Sequence, residues 1–141
     1  MGITFREKSL WLLLVSLCVA FGVYFAFALS NASAQVEPTQ VAAFIGIIVV
    51  FVVAQIIGHA LLGIASRREL TAKIETDERD VLIRLKSSEL SSYVLAVGVF
   101  FSLCVGVFVS GNFVFVHVLL AFWVLAQVTE YATQLILYRR G

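Results

Sequence analysis

The sequence predicts an all-α, polytopic membrane protein, a bundle of four transmembrane helices whose third helix extends into the cytoplasm. Hydrophobic residues make up 61% of the 141 residues, whereas soluble domains contain roughly 45–50%. The apolar residues form four runs, and each reaches the ~20 residues that a helix needs to cross ~30 Å of hydrocarbon. All ten Lys and Arg residues lie on one side of these runs, which is typical of short cytoplasmic segments.

The four runs cover residues 10–29, 41–65, 90–109 and 113–137. Only helices and closed barrels satisfy their backbone groups in lipid. The runs lack the alternation of barrel strands, so we predict helices that together form a single membrane domain. The basic flanks predict that both termini are cytoplasmic. The short link at 110–112 forces the last two helices into an antiparallel hairpin.

The first run has two interpretations. Ala32-Ser33-Ala34 before Gln35 fits the small-x-small pattern of a signal peptidase site. The apolar stretch from Leu10 is longer than the 7–15 residues of a typical signal sequence, which favours a retained membrane helix. Cleavage is the alternative, and it would leave three helices and an outward-facing N-terminus.

The second and fourth runs share a weak repeat. Ala54-Gln55 recurs 72 residues later as Ala126-Gln127, and Arg67-Arg68 recurs as Arg139-Arg140. This offset suggests a duplicated hairpin. Because both hairpins run in–out–in, the repeat would be parallel rather than inverted.

A stripe of small residues follows one face of the third run. Every fourth position is small, at Gly98, Ser102, Gly106 and Ser110. Such a stripe lets another helix backbone approach closely. The partner is either a helix of the same chain or a second copy in a homodimer.

An intramembrane polar layer is predicted around Glu130 and His59. Glu130 lies nine positions before Arg139, and His59 lies eight before Arg67, which are helix rises of ~13 and ~12 Å. The two side chains are therefore predicted at nearly one depth in the cytoplasmic half of the membrane. A carboxylate in lipid should face the bundle and find a partner or keep its proton. This polar layer either fixes the register of the helices through hydrogen bonds, or forms a site that relays protons or binds a ligand. The predicted members are His59, Glu130, Gln55, Gln127 and Tyr131. His117 lacks such polar neighbours and is expected at the membrane interface.

Several classes of site are excluded by residue type and spacing. Cys18 and Cys104 lie inside apolar runs without a metal or redox spacing, so both are expected to pack as small apolar residues. One His and one carboxylate fall short of a metal ligand set. The sequence has no nucleophile–base arrangement and no phosphate-binding loop. We therefore predict no enzyme activity, no cofactor and no metal, and the charge balance does not favour nucleic-acid binding.

The connection at residues 67–89 carries six basic and six acidic residues. Asp77 is a candidate N-cap with acids in the first turn that follows. We predict a helix from Asp77 through Lys86 directly into the third span, giving a third helix at 77–109. The apolar side that faces the bundle or the bilayer is formed by Val81, Leu82 and Leu85.

The charges of this connection also allow two interpretations. Two i, i+4 pairs stand in the favourable order, Glu75–Arg79 and Asp80–Arg84. The first interpretation is a solvated, salt-bridged helix start that pairs with Arg139 and Arg140. The second is a docking surface for a cytosolic protein, formed by Asp77, Glu78, Arg79, Asp80, Arg84 and Lys86.

The same segment carries a family resemblance. Asp77-Glu78-Arg79-Asp80, followed by Ile83, Lys86 and a membrane helix, resembles a family of small uncharacterised prokaryotic four-helix membrane proteins. Gly58-His59 and the terminal Tyr138-Arg139-Arg140-Gly141 are similar to the same family. The resemblance covers roughly residue 55 to the C-terminus. Some members are encoded beside small helix-turn-helix regulators, so it implies a membrane partner for such a regulator.

These observations predict a non-enzymatic inner-membrane protein that contacts a cytosolic transcription regulator through residues 67–89. The acids interleaved with the basic residues favour this function, because orientation in the membrane requires only the basic ones. The alternative is a small proton-linked transporter that uses Glu130 and His59. Four helices enclose little space, so a transporter would be a homodimer.

Overall fold

The computed structural model describes residues 5–65 and 78–140. Within them the chain forms four α-helices and no strand. The helices are α1 (Phe5–Ser30), α2 (Pro38–Ala65), α3 (Glu78–Phe108) and α4 (Phe113–Arg140). Each is long and apolar enough to cross a membrane. The predicted four-helix, all-α bundle is confirmed.

The helices extend beyond the apolar runs at their polar ends. α1 begins five residues before Leu10, and α4 continues to Arg140. Hydropathy marks only the part of a helix that suits lipid, whereas backbone hydrogen bonds continue into polar turns. α3 is continuous from Glu78 to Phe108, so the predicted extension of the third helix is confirmed. Three predictions involve residues outside the described ranges. They are the N-cap at Asp77, the first Arg pair of the repeat at Arg67-Arg68, and the i, i+4 pair that begins at Glu75.

α1 is central to the packing. It contacts α2 on one side and α4 on the other, and α4 packs in turn along α3. Its buried side chains are Leu10, Leu17, Phe21, Tyr24 and Ala28. α2 buries only Gln40, because it packs mainly against α1. Its remaining surface is a broad face of exposed Val and Ile side chains.

The small-residue stripe of the third helix packs against α4 of the same chain. Gly98 is buried, and a Cβ atom added there would lie 2.2 Å from the Cβ of Phe122. Ser102 is also buried and donates to the Gly98 carbonyl at 2.7 Å. A Cβ at Gly106 would lie 3.0 Å from the ring of Phe115. Ser110, at the end of the stripe, is exposed in the turn.

The two connections at one end of the bundle are hydrogen-bonded to each other. Gly111 has φ +92°, a conformation that favours glycine, and it lies directly against the Ala34 carbonyl. Phe113 N donates to the same carbonyl at 3.4 Å. Val36 N donates to Asn112 Oδ1 at 2.7 Å. This end is called the loop end below.

α2 begins with a capping arrangement. Pro38 occupies the first helical turn, where its missing N–H costs nothing. The side chain of Gln40 reaches back so that its Oε1 accepts from Glu37 N at 3.1 Å, as in one half of a capping box. Gln40 Nε2 donates to the Asn31 carbonyl at 2.8 Å. The buried glutamine therefore joins the ends of α1 and α2.

Candidate functional site

His59 joins α2 to α1. Its Nδ1 lies 2.8 Å from the Gln55 carbonyl, which can only accept, so Nδ1 carries the proton. In the neutral ring Nε2 is then an acceptor, and the Ser9 hydroxyl lies 2.8 Å from it. Ser9 therefore donates to His59.

Gln55 forms a second bridge between the same helices. Its Nε2 donates to Ser16 Oγ, and the Ser16 hydroxyl donates in turn to the Leu12 carbonyl. Among the described residues, Gln55 Oε1 is the buried side-chain atom left without a hydrogen-bond partner. A buried acceptor without a donor is costly, so this oxygen is a place where a donor would bind.

The remaining members of the predicted polar layer bond only within α4. Tyr131 donates to Gln127 Oε1 at 3.2 Å. Gln134 Nε2 donates to Glu130 Oε1 at 3.4 Å. Within residues 5–65 and 78–140, the side-chain hydrogen bonds of these polar residues do not join α2 to α4. The structure thus divides the layer into an α1–α2 set and an α4 set.

The contacts also set the level of each polar residue along the bundle. Arg6 donates a hydrogen bond to the Tyr138 hydroxyl, so these two residues lie at the same level of the bundle. We call this end of the bundle the basic end. His59 meets Ser9, three residues from Arg6, a rise of ~4.5 Å. Glu130 lies eight residues from Tyr138, or ~12 Å. His59 is therefore nearer to the basic end than Glu130.

Gln55, rather than His59, shares the level of Glu130. Its partner Ser16 lies ten residues beyond Arg6, or ~15 Å, against ~12 Å for Glu130. Depths obtained by counting residues from the nearest arginine on each helix can be compared only if those arginines lie at the same level of the bundle. The side-chain contacts show the actual offsets between helices.

His117 has a polar neighbour that the sequence did not predict, whereas its depth relative to the membrane interface stays a prediction. The residue is only 6% exposed, and its Nδ1–H donates to the Phe113 carbonyl at 2.8 Å. Its Nε2 accepts from the Tyr24 hydroxyl at 3.1 Å. Its ring stacks on that of Phe113 with centroids 4.1 Å apart. The sequence gives little sign of this pair, because Tyr24 is 93 residues away on α1.

An apolar cavity of about 450 Å³ lies beside Tyr24. Sequence reasoning missed it, because its walls come from all four helices and from the connection before α2. Its volume falls within the range of small-molecule sites, ~300–1,000 Å³. The lining residues are Tyr24, Val36, Val41, Phe44, Leu95, Val116, Leu119, Leu120 and Trp123.

Charged groups tie three helices together at the basic end. Arg6 forms an ion pair with Asp80 and donates to the Tyr138 hydroxyl at 3.1 Å. The Asp80–Arg84 pair was predicted, but the ion pair described for Asp80 is with Arg6, because α1 brings that guanidinium closer. The predicted pairing of the loop acids with Arg139 is not seen among the described residues. The Arg139 guanidinium instead lies over the Trp11 ring, 5.8 Å from its centroid.

The first turns of α3 present an exposed surface. Ile83 and Ser87 are buried against the bundle, which turns the intervening side chains outward. We call the exposed set the α3 surface. It consists of Glu78, Arg79, Val81, Leu82, Arg84, Leu85 and Lys86.

Comparisons with known proteins add no assignment to these residues. No family model, curated protein or solved structure matches the chain. Within the described ranges, no group of three or more His, Cys, Asp or Glu side chains could hold a metal ion. Roles for the polar sets, the cavity and the α3 surface therefore rest on their geometry.

Proposed function

We propose that the chain is a non-enzymatic integral protein of a prokaryotic inner membrane that docks a cytosolic protein through residues 67–89. The partner is a small transcription regulator. The α3 surface carries this proposal, since it exposes apolar side chains among charges at the basic end.

The membrane placement is supported by the four apolar helices and by the separation of charge. Arg6 and Lys8 lie at the start of α1, and Arg139 and Arg140 lie at the end of α4. Glu37 is the one charged residue in the connections at the loop end. Segments rich in Lys and Arg remain in the cytoplasm, so the basic end faces inward and both termini are cytoplasmic.

The docking role is supported by the position of the exposed apolar residues. Leu82 and Leu85 are 65% and 66% exposed, yet Lys86 and Glu89 stand between them and the apolar part of α3. Leu82 lies seven residues before Glu89, or ~10 Å along the helix. Since exposed charges avoid hydrocarbon, these leucines lie outside the lipid core, where a protein partner would cover them.

The spacing of the α3 surface suits a helical partner. Leu82 and Leu85 stand at i and i+3, and Glu78 and Glu89 extend the same face by one turn each. Apolar anchors at this spacing, with charges around them, are typical of recognition between helices. A helix-turn-helix regulator offers such helices. The resemblance to a family some of whose members are encoded beside these regulators supports this class of partner.

Crosslinking in native membranes followed by affinity capture tests the proposal. The double variant Leu82→Asn/Leu85→Asn alters exposed side chains and should retain the fold. It should lose a regulator that the wild type captures. Leu29→Asn is the matched control, because Leu29 is 65% exposed at the loop end. Capture of every wild-type partner by the double variant, or by a variant with a scrambled 67–89 segment, would refute the docking role.

The proton-linked transporter stays a prediction. Its two residues, Glu130 and His59, bond to Gln134 and Ser9 and not to each other. Proton flux into liposomes, measured for wild type and Glu130→Gln, tests this alternative separately. Loss of flux in the variant would favour it over docking alone.

A further inference from the structure

The cavity beside Tyr24 lies between two helices that do not pack along each other. Val41 and Phe44 of α2 line it, and so does Leu95 of α3. Within residues 5–65 and 78–140, α2 packs along α1, α3 packs along α4, and α1 packs along α4, with no comparable packing of α2 on α3. The cavity is partly open. Because these helices are suited to span a membrane, its open side faces the hydrocarbon of the bilayer.

The cavity is confined to the half of the bundle nearer to the loop end. Val36, in the connection before α2, forms part of its wall. Trp123, also in the wall, lies ten residues after Phe113, or ~15 Å, which is half of the ~30 Å of hydrocarbon. Phe21 packs edge-on against Trp123 and Phe51, with ring centroids 5.7 and 6.4 Å apart, and closes the cavity there. The cavity therefore opens to one leaflet of the bilayer.

The walls of the cavity are almost entirely apolar. The lining side chains are aliphatic or aromatic. The Tyr24 hydroxyl already donates to His117 Nε2 at 3.1 Å. Because a buried water molecule needs roughly two to four polar partners, these walls favour an apolar occupant over water.

Hydrogen bonds hold the walls in place at the loop end. Val36 N donates to Asn112 Oδ1 at 2.7 Å, which attaches the connection before α2 to the turn between α3 and α4. Gln40 joins the ends of α1 and α2 through its bonds to Glu37 N and the Asn31 carbonyl. These contacts oppose closure of the cavity by movement of α2 toward α3. An apolar occupant supplies the dispersion contacts that walls held apart cannot make with each other.

We propose that the cavity binds one hydrocarbon chain of a membrane phospholipid from the leaflet at the loop end. Its volume of about 450 Å³ is roughly three times the ~150 Å³ that holds benzene, so about a dozen carbon atoms or more fit inside. The chain enters between α2 and α3 and supplies the packing that these two helices do not give each other. The polar head stays at the interface and takes no part in recognition. The proposal rests on the membrane placement of the chain and is independent of the α3 surface.

Quenching of tryptophan fluorescence by a brominated lipid tests the site. In a Trp11→Phe background, Trp123 is the remaining tryptophan, and it lies in the cavity wall. The full chain is delipidated in dodecylmaltoside micelles and titrated with phosphatidylcholine that carries a dibrominated stearoyl chain. Quenching should saturate at one lipid per protein chain, and unbrominated phosphatidylcholine should reverse it. Diacylglycerol with the same chains should compete equally well, because the cavity contacts the chain and not the head.

A filled cavity and a matched control locate the bound chain. Val41→Phe/Val116→Phe adds two rings to the cavity wall and should weaken lipid binding by about tenfold or more, because the added atoms overpack the space of the chain. Val49→Phe/Val114→Phe makes the same changes on the same two helices, at exposed positions that do not line the cavity. This control should bind the lipid as the Trp11→Phe chain does.

Three results of the lipid titration would overturn the proposal. They are quenching that rises linearly with the lipid fraction, competition by phosphatidylcholine but not by diacylglycerol, and unchanged binding to a folded Val41→Phe/Val116→Phe variant. A Trp11→Phe chain that is dimeric and unquenched, while the filled variant is monomeric, would also overturn it, because a second copy would then occupy the cavity. If the filled variant does not fold, saturation and competition in the Trp11→Phe chain decide.

Discussion

Replacing Gly98 by alanine should separate α3 from α4. The added Cβ would lie 2.2 Å from the Cβ and 2.4 Å from the Cγ of Phe122, and Cβ atoms essentially never approach other atoms closer than 3.0 Å. No side-chain rotation moves the Phe122 Cβ, because it is attached directly to the α4 backbone. The helices must therefore move apart by more than about 1 Å to restore an ordinary carbon–carbon contact of ~3.5–4.0 Å.

The magnitude follows from a comparison of glycines. Overpacking a close contact costs ~1–3 kcal/mol, while alanine gains up to ~1 kcal/mol over glycine in a helix. Gly46 has no atom within 4 Å of an added Cβ, so Gly46→Ala carries the propensity gain alone. The free energy of unfolding of Gly98→Ala should therefore be ~1–3 kcal/mol lower than that of Gly46→Ala.

Gly106→Ala should fall between the two, since its nearest atom, at 3.0 Å, is on the Phe115 ring, which can rotate away. Unfolding by increasing SDS in mixed micelles, followed by far-ultraviolet circular dichroism, measures the three free energies. Equal unfolding midpoints for Gly98→Ala and Gly46→Ala would refute the close packing of α3 on α4.

Three further changes test other parts of the structure. Gly111→Ala should lower the free energy of unfolding by ~1–3 kcal/mol, because its positive φ and the Ala34 carbonyl leave no place for a Cβ; a wild-type midpoint in the same SDS titration would contradict this. Tyr24→Phe removes the donor to His117 Nε2 and should cost ~0.6 kcal/mol, rising to ~1.7 at most, and no loss would show that the hydrogen bond is absent in solution. In a cysteine-free background, Ser33→Cys should react with a membrane-impermeant maleimide added outside intact cells, while Ser88→Cys should react only after lysis. The reverse labelling pattern would contradict the proposed orientation.

The packing of α1 has a consequence for signal-peptide cleavage. Phe21 and Tyr24 of α1 contact residues of both α2 and α4. Removing the helix would expose these contacts and would separate α2 from the α3–α4 hairpin. Retention of α1 therefore stays our prediction, and the mass of the purified chain measures it directly.

The sequence by itself determined the four helices, their order and the end of the bundle that carries the basic residues. These properties are local, because the hydropathy and length of a segment decide whether it suits lipid as a helix. The small stripe at Gly98, Ser102 and Gly106 also predicted a close helix contact, since the lack of large side chains is a property of the segment itself.

The tertiary structure decided which residues meet. Helix offsets determined that Gln55, rather than His59, shares the level of Glu130, and that Asp80 pairs with Arg6 instead of Arg84. The Tyr24–His117 bond and the cavity have the same origin, because each combines side chains from helices far apart in the chain. Residue counts along one helix give its rise, whereas the offset and rotation between helices depend on the side chains that interlock between them.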